Sequence, residues 1–143
     1  MPLVRTLLAA AFAAVALPAA AQEITLKVHH FWPPGAMPPS TLLVPWCDRI
    51  AKDSGNRLKC QIYPAMQLGG APPQLIDQVK DGVADIVWTL PGYTAGRFPT
   101  MEGSALPLLT SSAEAGARAA WDYLQKNALK EFPGTKVLAT WVH

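Results

Sequence analysis

Four short runs with strand character alternate with stretches of helical periodicity, and this alternation restricts the fold more than any other feature of the chain. "ITLKVHHF", from Ile24, sets Ile24, Leu26 and Val28 against Thr25, Lys27 and His29, the period of two of a half-buried strand. "LKCQIYP" is a second strand with Leu58, Cys60 and Ile62 on one side. "VADIVWTL", 83–90, is apolar except at Asp85 and Thr89 and reads as a strand buried on both faces. "KVLATWV", 136–142, reads as a fourth. Between the first two, Leu42, Leu43, Trp46, Cys47 and Ile50 recur at helical spacing, which predicts a helix from Ser40 or Thr41 to about Lys52. Pro45 is tolerable only near the start of that helix, so its first turn is expected to be irregular. The glycine of "DSGNR" ends it.

Pro72 and Pro73 suit the first turn of a second helix, where their missing N–H groups would be unpaired anyway. Leu75, Ile76 and Val79 form its buried stripe and Gly82 stops it. Gly69-Gly70 lacks the spacing of a nucleotide-binding loop and reads as a plain turn ahead of this helix. Ser111 and Glu114 make a capping box for a third helix reaching about Lys126. Trp46 and Trp121 are assigned to the core. Strands alternating with helices imply right-handed crossovers, so the fold class is α/β, a mainly parallel sheet flanked by helices. Ligands of such sheets bind outside the carboxyl ends of the strands. Those ends carry His30, Phe31 and Trp32 after the first strand and Trp88, Thr89 and Tyr93 after the third. Rings and a hydroxyl at a cleft mouth suit a small organic molecule.

The first 21 residues are set apart. Arg5 precedes an apolar run from Leu7 to Leu17, and Ala19-Ala20-Ala21 supplies an A-x-A cleavage pattern before Gln22. This is the pattern of a secretory signal peptide; the apolar run is too short to span a bilayer. The expected mature chain is 22–143, soluble after export. Without Arg5 it carries 11 basic and 10 acidic residues, so no basic stripe recommends nucleic acid as a partner. Export also puts Cys47 and Cys60 where thiols can pair. One disulfide, or two separate buried thiols acting as small hydrophobes, both satisfy the sequence.

Catalytic chemistry is not legible. His29 and His30 are adjacent and point to opposite strand faces, which opposes a shared metal ion, and no acid/base carboxylate pair is evident. Asp85, inside an apolar strand, is read as a hydrogen-bonded structural group. No cofactor and no metal are expected.

Taken together, "LKVHHF…PPS", "WCDRIAKDSGNRLKCQIYPAMQLGG", "LIDQVKDGVADIVW" and "FPTMEGSALPLL" resemble, in order and spacing, the periplasmic solute-binding proteins of TRAP (tripartite ATP-independent periplasmic) transporters, the DctP family. The resemblance covers essentially all of 24–143. It implies a lobe like that of type II periplasmic binding proteins, half of a clamp that closes on an organic acid. The clamp then delivers that carboxylate to integral-membrane permease subunits for uptake driven by an ion gradient. It implies a non-enzymatic, periplasmic protein. By position, Phe31, Trp32, Trp88, Thr89 and Tyr93 are the first lobe's contribution to the pocket; for Trp88, ordinary core packing is the competing reading.

Members of that family have two lobes of comparable size, so 22–143 is expected to be an N-terminal lobe, apparently truncated, with the second lobe missing. The family's carboxylate-clamping arginine would come from that second lobe; Arg97 does not match it. A sheet normally completed by later segments is expected to leave an unpaired strand edge and exposed apolar surface. A periplasmic sensing or scaffold lobe acting with a signalling partner is the alternative function.

Overall fold

The computed structural model describes residues 22–103 and 112–141. The expected signal segment, Ser111, Val142 and His143 lie outside them. Strands β1 (Ile24–His30), β2 (Leu58–Tyr63) and β3 (Ile86–Trp88) form a three-stranded parallel sheet in the order β2-β1-β3. β1 is central, with Ile24 opposite Leu58, His29 opposite Tyr63 and His30 opposite Trp88. Flanked on both sides, its last three residues, Val28, His29 and His30, are fully buried.

Helix α1 (Val44–Asp53) crosses from β1 to β2. The irregular start expected near Pro45 is a π turn over Pro39–Leu43. Gly55 and Asn56, both with φ of 62°, end the helix, and Ser54 Oγ accepts from the Leu58 N–H to launch β2. Cys47 on α1 and Cys60 on β2 form a disulfide, which resolves the two readings left open by the sequence. Helix α2 (Leu75–Lys80) follows a 3-10 turn at Pro72–Gln74, where the Gln74 side chain accepts from the Ala71 N–H. The short α3 (Pro99–Glu102) is held by Glu131, whose carboxylate accepts from the N–H groups of Thr100 and Met101. Helix α4 (Ala113–Tyr123) continues as a π turn, Leu124–Ala128.

The two faces of the sheet have separate cores. Val28, Leu43 and Cys47 cluster under α1 with Trp46, Cys60, Ile62, Ile86 and Trp88 packed against them. Ile76, Phe98, Met101, Leu124 and Ala128 form the other, joined by Val79, Trp121, Phe132 and Val137.

Three expectations are corrected. The capping residue of α4 is Ser112, whose Oγ accepts from the Ala115 N–H, while Glu114 pairs with Arg118 instead of closing a box. The third strand is three residues long and not buried on both faces: Val83 and Asp85 are exposed. There Asp85 bridges to β1 through its own N–H and through a carboxylate that accepts from the Lys27 N–H at 2.8 Å. The run 136–141 is not a strand. β-branched residues favour an extended backbone, but a strand exists only where a neighbour supplies its ladder bonds, and β3 is an edge. Between that edge and 136–141 lies an open groove of about 1550 Å³, walled by Ile76, Val79, Phe98 and Leu124 among others.

Candidate ligand-binding site

At the carboxyl ends of β1 and β3 the aromatic residues form one continuous row. Tyr93 meets Phe31 edge-on at 5.2 Å between ring centroids, and Phe31 stacks on Trp32 at 4.9 Å. Trp32 meets Trp88 at 6.4 Å, and Trp141 packs against both, 6.1 Å from Trp32 and 3.8 Å from Trp88. Inclined pairs of this kind suit the ring quadrupole and present apolar faces with polar edges.

The row depends on the turn between β2 and α2. Met66 N–H donates to the His30 carbonyl and Ala65 N–H to the Trp32 carbonyl, so the exit of β1 is pinned. Ala65 and Met66 do this at φ of 49° and 58°, a left-handed conformation costly for residues with a Cβ. The turn is locked from below by His29. Its Nδ1 donates to Gln78 Oε1 at 2.7 Å and its Nε2 accepts from the Leu68 N–H at 3.3 Å, while Gln78 Nε2 donates to the Gly69 carbonyl. Gly69 and Gly70 sit at φ of 90° and 79°, and a Cβ on Gly70 would stand 2.9 Å from Gln78 Nε2. The glycine pair lets this lock form.

Of the residues singled out from sequence, Trp88, Thr89 and Tyr93 line the mouth of the groove, whereas Phe31 and Trp32 stand behind them in the row. Trp88 both lines the groove and packs on the core under α1, so the two readings of it are not exclusive. Trp46, assigned to the core, also reaches the groove. Sequence reasoning missed Trp141, because it sat in a run read as a strand. Position alone put it at the carboxyl end of that run, the same signal that picked out Trp88.

The electrostatics of the site are nearly neutral. His30 is buried beside Trp88; desolvation lowers its pKa from 6.5, the neighbouring His29 adds to this, and the Trp32 backbone opposes it. Arg97 is committed elsewhere: its two terminal nitrogens donate to the Asp77 carboxylate at 2.9 and 2.6 Å, and this bidentate pair lowers the Asp77 pKa. Lys136 lines the groove. Among the described residues no cluster of His, Cys, Asp or Glu has metal-binding form, and no helix is long and apolar enough to cross a membrane.

Residues 28–143 match the family model for DctP, bacterial extracellular solute-binding protein family 7. A TRAP solute-binding protein from Rhodoferax ferrireducens T118, solved with copurified benzoate, is 52% identical; the match has a TM-score of 0.79 and covers 82% of this chain and 37% of that one. A marine metagenome TRAP solute-binding protein specific for aromatic acid ligands, solved with 3-hydroxybenzoate, is 47% identical with a TM-score of 0.80, covering 84% of this chain and 38% of that one. A curated relative, the outer membrane transporter protein TsaT of Comamonas testosteroni, is 29% identical over 136 residues, 94% of this chain and 40% of its own. The chain thus spans about two fifths of the length of the relatives it matches. These are binding proteins and not enzymes, and the chain belongs to the DctP family of TRAP solute-binding proteins, with the α/β lobe that its sequence pattern implied.

Proposed function

We propose that residues 22–143 form one lobe of a periplasmic clamp that captures an aromatic carboxylate and delivers it to TRAP permease subunits in the membrane. The observation that carries this is the aromatic row itself. Tyr93, Phe31, Trp32, Trp88 and Trp141 present rings at the strand ends where α/β sheets hold ligands. A ring laid against such a surface gains its area burial plus about 0.5–1.5 kcal/mol of oriented stacking per aromatic neighbour. The two solved relatives closest to half identity carry benzoate and 3-hydroxybenzoate, which agrees with this reading. Phe31, Trp32, Trp88, Thr89 and Tyr93 are the proposed ligand-facing residues, with Trp141 added.

The site's lack of a free bidentate cation fits a division of labour: this lobe holds the ring and a partner lobe supplies the charge that clamps the carboxylate. The bare edge of β3 and the groove beside it are proposed to receive a strand and apolar side chains from that further polypeptide. The first 21 residues are proposed to direct export and to be removed before Gln22.

Tryptophan fluorescence of the exported protein, titrated with benzoate and with succinate, tests the ligand class. Quenching by benzoate at concentrations where succinate does nothing is expected; equal response to both, or response to succinate alone, would refute it. The half-clamp idea has its own test. Residues 22–143 produced alone should bind the dye ANS and melt broadly, and a sharp melt with micromolar ligand affinity would end it.

A further inference from the structure

Two buried polar atoms in the aromatic row have no hydrogen-bond partner among the described residues: His30 Nδ1 and Trp32 Nε1. Their surroundings are otherwise fully paired. His29 engages both ring nitrogens, and the carbonyls of His30 and Trp32 accept from Met66 and Ala65. Buried polar atoms without partners destabilise a fold and are rare, so a pair of them calls for a physical reason.

The pair shares a neighbour. His30 is the register partner of Trp88 and therefore leaves the sheet on the same face. The Trp32 ring meets that same Trp88 edge-on. Trp141, the third ring against them, comes from a segment in no helix or strand, tied to α4 through the Thr140 hydroxyl and the Ala117 carbonyl. A cover of that kind can shift without breaking a ladder of backbone bonds.

The chemistry of the two atoms selects their occupant. An indole N–H only donates, and an uncharged imidazole offers one donor and one acceptor. Burial keeps the His30 ring uncharged near neutral pH. An anion placed here would lose its hydration without a counter-charge, and an apolar group would leave both atoms unpaired. A hydroxyl, with one donor and two lone pairs, satisfies both at once.

We infer that His30 and Trp32 form a neutral polar subsite within the aromatic row that takes a hydroxyl carried on the ring of the bound acid. The inference rests on the aromatic-carboxylate reading and narrows it to hydroxyl-substituted arenes.

Calorimetric titration of the gene's complete exported product with the three hydroxybenzoates, the three methylbenzoates and benzoate tests it. Methyl and hydroxyl are close in size, and in a wholly apolar pocket methyl binds better. At one ring position or more, hydroxyl is expected to outbind methyl about tenfold, the factor of one net hydrogen bond. Trp32→Phe, which keeps a ring and loses the N–H, and His30→Leu should each bring that ratio to about one. If benzoate binds but hydroxyl beats methyl at no position, as when a resident water fills the subsite, the inference falls and the aromatic-acid reading stands. If the preference survives both substitutions, the hydroxyl is held elsewhere and the inference also falls. If none of the benzoates binds, both fall.

Discussion

Reducing the Cys47–Cys60 disulfide should destabilise the lobe by about 3 kcal/mol. The bond spans a sequence separation of 13 and ties α1 to β2, the first crossover of the sheet. Loop-closure entropy for a cross-link of that span, taken from the unfolded chain, comes to about 10 cal/mol/K, or about 3 kcal/mol at 25 °C. For a domain of this size that corresponds to a fall in Tm of roughly 10–15 °C. Thermal melts with and without reductant, with thiol titration to prove reduction, measure it. Reduced protein is a cleaner comparison than a Cys47→Ala, Cys60→Ala variant, because Cys47 is buried in the core under α1 and alanine would also remove packing. If melts of verified reduced and oxidised protein differ by under about 3 °C, loop closure is not what the bond contributes, and the argument from chain entropy fails.

Three further outcomes follow from individual contacts. Arg97→Ala should cost only about 1 kcal/mol in urea titration, since the pair with Asp77 is bidentate but half exposed; because the Asp77 carboxyl is held below its ordinary pKa, that difference should be present above the carboxylate range and shrink as pH falls through the lowered value. His30 binds its proton less readily folded than unfolded, so its contribution to stability is complete above pH 6.5 and is lost as pH falls below it; a His30→Phe variant should show a flatter Tm-against-pH curve between neutrality and pH 5, and an unchanged slope would contradict the assignment. Gly70→Ala forces a Cβ into left-handed backbone and against Gln78, which is itself held by His29 and Gly69, and should cost about 1–3 kcal/mol with faster hydrogen exchange at Leu68.

The sheet itself was readable from local pattern. Alternation over Ile24–His30 and Leu58–Tyr63, the helical stripe of Leu43 and Cys47, and the glycines after each helix all act over a few residues, and the backbone follows them. The aromatic site was legible for a related reason: in a parallel α/β unit the residues that end the strands must gather at one edge, which placed Phe31, Trp32, Trp88, Thr89 and Tyr93 before any contact was known. What sequence could not tell was which of these rings would stand forward and which behind, because that depends on the Ala65–Met66 turn reaching back to the carbonyls of β1.

Length of strand and pairing of side chains belonged to the tertiary structure. The segment 136–141 has the composition of a strand but finds no ladder partner, so its Trp141 is free to pack onto Trp88 and Trp32. Cys47 and Cys60 could be bonded or separate until the fold brought their Cα atoms to 5.6 Å. His29 and His30 are identical neighbours in the sequence, yet one has both ring nitrogens bonded and the other is left with a bare Nδ1. Local pattern chose the elements because backbone preference is a short-range property. The three-dimensional arrangement alone chose the partners, because a hydrogen bond or ring contact between distant residues exists only once the chain has brought them together.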